Sequence, residues 1–155
     1  MNTTEFLMIS AAIVPDRLAM IFEDTRLTYG DLQERVNRLS NWMASMGVSS
    51  GDRVAMLEVN CNQHIEAYFA TAKLDAVYVP LNFRARSDEL IYMVNDAEPK
   101  LMFVGERYVD MVKTSENKLT SVDTYVVIGD SENTWISYET AIQQGENEEA
   151  FPIGD

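Results

Sequence analysis

The chain has 155 residues, of which 46% are hydrophobic and 24% charged, a size and balance that fit one globular domain or part of a larger one. With 25 acidic residues against 12 basic ones the formal charge is −13, which repels phosphate backbones and anionic lipid and argues against nucleic-acid or membrane-surface binding. The lone cysteine, Cys61, excludes an internal disulfide and a CxxC metal site.

In chain order, the apolar run Phe6–Val14 follows Glu5 without a basic flank and is too short to span a membrane or to read as a signal peptide. Asn2-Thr3-Thr4 matches a glycosylation acceptor, but nothing else suggests secretion, and a cytoplasmic location is expected. Phe6, Leu7, Ile9, Ser10 and Ile13 fit a short helix stopped by Pro15. Leu18–Phe22 and Arg26–Tyr29 flank Glu23-Asp24-Thr25 as a small hairpin. Thr28 is placed to cap the next helix, with Asp31 three positions on to answer it. Leu32, Val36, Leu39, Met43 and Met46 form one apolar stripe on that helix, which Gly47 ends as a left-handed cap.

Gly51-Asp52 turns into a strand over Arg53–Val59, and Ile65, Tyr68, Phe69 and Ala72 mark the apolar face of a second helix. Ala76–Leu81 is apolar almost throughout and reads as a strand buried on both faces. Ser87, before Asp88 and Glu89, starts a capped helix carrying Leu90, Ile91, Val94 and Ala97. A strand at Leu101–Val104, a helix around Tyr108, Val109 and Val112, a strand at Thr124–Ile128 and a short helix at Ser137–Gln144 follow. Such alternation predicts an α/β fold with a doubly wound, mainly parallel sheet and helices on both faces.

Gly47-Val48-Ser49-Ser50-Gly51 matches G-x-S-x-G letter for letter. A nucleophile elbow needs a strand before its serine and a helix after it, and here the order is reversed, so a hydrolase is rejected. The chain contains neither G-x-G-x-x-G nor G-x-x-x-x-G-K-[ST], and its residues suggest no metal cluster. Cys61 and His64 sit together at the start of one helix without a third orienting group, and read as a boundary cysteine and a surface histidine rather than a nucleophile and its base.

Several blocks then line up in order: Leu27-Thr28-Tyr29-Gly30-Asp31-Leu32, Gly47-Val48, Gly51-Asp52-Arg53-Val54-Ala55, Ala76-Val77-Tyr78-Val79-Pro80-Leu81-Asn82 and Glu89-Leu90. Each is weak alone. As an ordered set, running from about residue 6 to the end, they resemble the N-terminal region of the AMP-forming acyl-CoA synthetases, the adenylate-forming ligase superfamily. The resemblance implies that residues 1–155 are the N-terminal portion of an AMP-binding domain, truncated before the phosphate loop. It implies an acid–thiol ligase that joins a carboxylic acid to ATP with Mg2+, releases pyrophosphate and passes the acyl group to coenzyme A. The Pro80-Leu81-Asn82 ending resembles the acyl-CoA synthetase branch, since peptide-synthetase modules more often carry Asp in place of Asn82. Fatty or aromatic acids are the implied substrates.

The family commonly has glycine where this chain has Asp75. Its Ser/Thr/Gly-rich phosphate loop, magnesium-binding Glu, ribose-binding Asp and catalytic Lys all belong to later sequence, and Phe151–Asp155 resembles the lead-in to that loop. No catalytic residue is therefore expected within 1–155, no metal ligand, no cofactor bound to this segment alone, and no activity from it. Arg84 and Arg86 follow the Ala76–Leu81 strand, where a phosphate of coenzyme A or a nucleotide could be met. The plainer reading is that Arg84 stabilises its loop or pairs with a nearby acid such as Asp88 or Glu89. A non-catalytic interaction module of the same descent is the alternative, and a flavodoxin-like or dinucleotide-binding domain shares the α/β pattern but not its signature loops. The apolar content also predicts self-association, most simply as a dimer.

Overall fold

The computed structural model describes residues 3–130 and 135–149; the Asn2 acceptor and the Phe151–Asp155 lead-in lie outside them. Helix α1 (Thr3–Ile13) precedes a two-stranded hairpin, β1 (Leu18–Phe22) and β2 (Thr25–Thr28). Its turn is the two residues Glu23 and Asp24, with Glu23 at φ +49°, so Thr25 belongs to the strand. Helix α2 (Tyr29–Ser45) begins at the capping box that the sequence predicts. The Asp31 carboxylate accepts the Thr28 N–H at 2.9 Å, and Thr28 Oγ1 accepts the Asp31 N–H at 3.1 Å. The Thr28 N–H bond, with a second from Thr28 Oγ1 to the same carboxylate oxygen at 2.7 Å, holds the Asp31 carboxyl below its ordinary range.

Leu32, Val36, Leu39 and Met43 of α2 are buried. Met46, the last residue of the predicted stripe, is 43% exposed. It stands at the C-cap, past the helix, where the 3.6-residue period no longer applies. Gly47 follows at φ +89°, and Asp75, where the family commonly has glycine, is likewise left-handed at φ +54°.

The main sheet has five parallel strands in the order β4 (Val77–Pro80), β3 (Arg53–Leu57), β5 (Leu101–Gly105), β6 (Thr124–Ile128), β7 (Ile136–Ser137). Alternate side chains divide its core. Val54, Met56, Leu101, Phe103 and Val126 pack on one face with α2, α3 (Asn62–Lys73) and α6 (Tyr138–Gln144). Ala55, Leu57, Met102, Val104 and Val127 pack on the other with α4 (Ser87–Ala97) and α5 (Val109–Ser115). The period-2 alternation of each strand thus produces the three layers.

Three expectations are corrected. Ala76–Leu81 is not buried on both faces: β4 is the sheet edge, pairs only with β3, and leaves Val77 49% exposed. Apolar composition marks a strand without saying how many neighbours it has. Ser87 is the first helical residue of α4 rather than its cap, and the Glu89 carboxylate accepts the N–H of Arg86 at 2.8 Å. The expected apolar face of α3 is only partly covered: Phe69 and Ala72 are half-buried, with Phe69 packed against the core. Ile65 is 44% and Tyr68 40% exposed, while Glu66, Ala67, Ala70 and Thr71 are wholly buried. Glu66 is drawn in by its partners: it accepts hydrogen bonds from Arg35 at 2.9 and 3.1 Å, from Asn62 at 2.7 Å and from Tyr138 at 2.8 Å.

Candidate functional site

After β3 the chain moves to one side of the sheet to form β4, then crosses to the other side for β5 and β6. A parallel sheet wound this way opens a crevice at the carboxyl ends of the two strands where the winding reverses, and ligands collect there. Here those strands are β3 and β5. Residues immediately beyond them, and beyond β4, are the candidates.

Glu58 follows β3 directly. It is only 9% exposed, its Oε1 accepts the Val59 N–H at 2.7 Å, and Arg107 Nε lies 3.7 Å away. Its other carboxylate oxygen lies against the α-carbon of Gly105, the last residue of β5. A Cβ there would come within 1.9 Å of Glu58 Oε2. Gly105 is therefore required sterically for the Glu58 carboxylate to occupy the head of the crevice.

Arg84 and Arg86 lie in the exposed loop after β4. The Arg84 N–H donates to Asn82 Oδ1 at 3.0 Å, and its guanidinium sits 5.4 Å from the centre of the Phe83 ring. Among the described residues neither arginine forms an ion pair, so the expected partnership of Arg84 with Asp88 or Glu89 is not made. Both guanidinium groups are charged and open to solvent at the carboxyl edge of the sheet, where an anion can be met without first breaking an ion pair.

Cys61 and His64 do not make a catalytic pair. Burial pushes the Cys61 thiol up, away from the thiolate. His64 is half-buried rather than a surface residue. Its Nε2 faces the Glu58 carbonyl at 3.0 Å, so that nitrogen must carry the proton, and its Nδ1 accepts the Tyr78 O–H at 2.6 Å. Both ring nitrogens are thus engaged in joining α3 to the sheet. Among the described residues no cluster of three His, Cys, Asp or Glu side chains could hold a metal ion, and no helix is long and apolar enough to cross a membrane.

A groove of about 450 Å³ lies elsewhere, between α1, the hairpin and α3, lined by Phe6, Leu7, Met20, Leu32, Ile65 and Phe69. It is mainly apolar, with Ser10 and Tyr29 as polar exceptions in its lining, and offers binding area rather than a catalytic constellation. Sequence reasoning missed Glu58, Gly105 and Arg107. The signal was present as charge placed directly after an apolar strand, Leu57-Glu58 and Gly105-Glu106-Arg107, but it has meaning only once strand order is known.

Residues 8–152 match the family model described as AMP-binding enzyme. A 3-oxocholest-4-en-26-oate–CoA ligase of Rhodococcus rhodochrous is 29% identical over 97% of this chain, and a long-chain-fatty-acid–CoA ligase of Thermus thermophilus is 33% identical over 83% of it. The chain covers 28% and 23% of those two relatives. Among solved structures, a benzoate CoA ligase of Burkholderia xenovorans superposes on the whole chain with a TM-score of 0.88 at 17% identity, over 31% of its own length. The N-terminal domain of FACL13 from Mycobacterium tuberculosis does so with 0.87 at 23%, over 38% of its length.

Proposed function

The chain belongs to the AMP-binding enzyme family, the adenylate-forming acid–CoA ligases, and from that premise we propose that residues 1–155 are the N-terminal portion of the AMP-binding domain of an acyl-CoA synthetase. That enzyme activates a fatty or aromatic acid with ATP and Mg2+ to an acyl-adenylate and transfers the acyl group to coenzyme A in the cytoplasm. The observation that carries this reading is the match over residues 8–152, almost the full chain. Nucleotidyl transfer depends on charge stabilisation by positioned donors and metal. The residues that supply it in the family have no counterpart in residues 1–155, so this segment contributes scaffold and one edge of the coenzyme path, and does not adenylate acids alone.

Arg84 and Arg86 are the residues we assign to a phosphate of coenzyme A or of a nucleotide. Their support is position: the carboxyl edge of a doubly wound sheet, exposed, with no ion pair among the described residues. In a ligase polypeptide that carries all the family motifs, Arg84→Ala is expected to raise KM for coenzyme A several-fold and to leave acid-dependent ATP–pyrophosphate exchange unchanged. Equal losses in both half-reactions would mean that Arg84 only shapes its loop. The apolar side chains left open on α1, the hairpin and α3 are the face we assign to self-association, in its simplest form a symmetric dimer.

A further inference from the structure

After α6 the chain runs as an extended segment, residues 145–149, along α2. One face of α2 is a ladder of donors for it. Arg38 Nη1 donates to the Gly145 carbonyl at 3.0 Å. Asn41 Nδ2 donates to the carbonyls of Glu146 at 2.7 Å and Glu148 at 2.9 Å. Asn37 Nδ2 reaches Asn147 Oδ1 at 3.4 Å, and Gln33 Nε2 reaches Glu149 Oε2 at 3.0 Å. Gln33, Asn37 and Asn41 recur every four residues, the spacing that stacks side chains along one helix face. Trp42, one position further on, donates Nε1 to Gln144 Oε1 at 3.3 Å.

Both ends of the segment carry a further constraint. At the start, a Cβ on Gly145 would lie 1.8 Å from the Arg38 carbonyl oxygen, so the strap approaches the α2 backbone as closely as only glycine allows. At the far end, Glu149 is held by Lys73 of α3, whose side chain is only 2% exposed. A buried ammonium needs a fixed counter-charge, and among the described residues Glu149 is the ion-pair partner of Lys73. Three of the donor contacts reach main-chain carbonyls, which fixes the path of the chain rather than a particular sequence. The Lys73–Glu149 pair then sets the register.

We infer that the polar face of α2 together with Lys73 is a clamp for residues 145–149, in which Lys73 fixes the far end at Glu149. The clamp rests on the reading above only for its purpose: in an acid–CoA ligase it would aim the chain entering the phosphate loop. Its existence is independent of that reading and is tested on the chain itself, by backbone 15N relaxation of the wild type, Lys73→Met and Asn41→Ala. In the wild type, order parameters for 145–149 should match those of β3 and β5, near about 0.85. Lys73→Met should lower them below about 0.6 at 147–149 while β3 and β5 stay rigid. Asn41→Ala, which leaves the core intact, should loosen 146–148. A strap already mobile in the wild type would overturn the clamp. So would a strap that stays rigid in both variants, or one that loosens only where the whole sheet loosens too. Should Lys73→Met fail to fold, Asn41→Ala alone decides.

Discussion

Helices α2 and α3 lie side by side and bury their faces by different means. On α2 the buried residues Leu32, Val36, Leu39 and Met43 follow the apolar spacing. On α3 the apolar residues Ile65 and Tyr68 are half out, and Asn62, Glu66, Thr71 and Lys73 are in. The difference is electrostatic. Arg35 of α2 stands against Glu66 of α3 and Glu139 of α6; burial opposes its charge, but the hydrogen bonds to Glu139 and Glu66 outweigh that and raise its pKa. Hydrophobic periodicity reads a helix face correctly when its polar residues have nowhere better to go than water. It fails when a neighbouring element offers polar partners that a single sequence window cannot contain.

The largest expected effect tests the α3 side of that contrast. Glu66→Ala leaves Tyr138 and Asn62 without their buried acceptor and Arg35 with Glu139 alone, and breaking a buried pair costs up to about 3–5 kcal/mol. Leu39→Ala, the matching cut on α2, is expected to cost about 2–5 kcal/mol through its cavity. Glu66→Gln, which keeps hydrogen-bonding atoms, should lose less than Glu66→Ala. Urea unfolding followed by tryptophan fluorescence measures all three, and a Glu66→Ala loss below about 1 kcal/mol would break the comparison.

Next comes pH. Burial, then the charge of Glu66, lifts the Tyr138 phenol well above the ordinary tyrosine range; burial also lifts Tyr78, and holds Tyr125 at about 12. These folded-state values lie above the unfolded value of about 10, so the stabilisation is complete below about pH 10 and is lost as pH rises through the folded values. Melting temperatures should therefore fall above about pH 10. Tyr138→Phe should flatten part of that fall, and an unchanged slope would remove Tyr138 from the network.

The smallest effect is expected at Ile65. As a core residue its replacement by serine would cost several kcal/mol. As the exposed wall of the apolar groove it should change stability by less than about 0.5 kcal/mol. If the groove face mediates self-association, Ile65→Ser should also weaken the dimer, as read by light scattering behind a sizing column. A large loss of stability would restore the expected apolar face of α3.

Much of the fold was legible because it rests on local rules. The Thr28 capping box, the Gly47 stop, the strand runs Leu101–Val104 and Thr124–Ile128, and the reversed order around G-x-S-x-G each need only a few adjacent residues. What was not legible depends on neighbours distant in sequence. The edge position of β4, the inward turn of Glu66 and the lodging of Glu58 over Gly105 each need strand order or a partner that local spacing does not encode. At the candidate site, Arg84 and Arg86 could be placed after a strand from sequence. That the strand ends beside the crevice between β3 and β5 could not.

The function proposed for residues 1–155 is scaffold for acid activation without its chemistry. ATP–pyrophosphate exchange by this chain, with a panel of fatty and aromatic acids and Mg2+, tests that most directly. Exchange indistinguishable from a protein-free blank with every acid is the predicted result, whereas acid-dependent exchange clearly above the blank would show that the adenylation machinery is already within these residues.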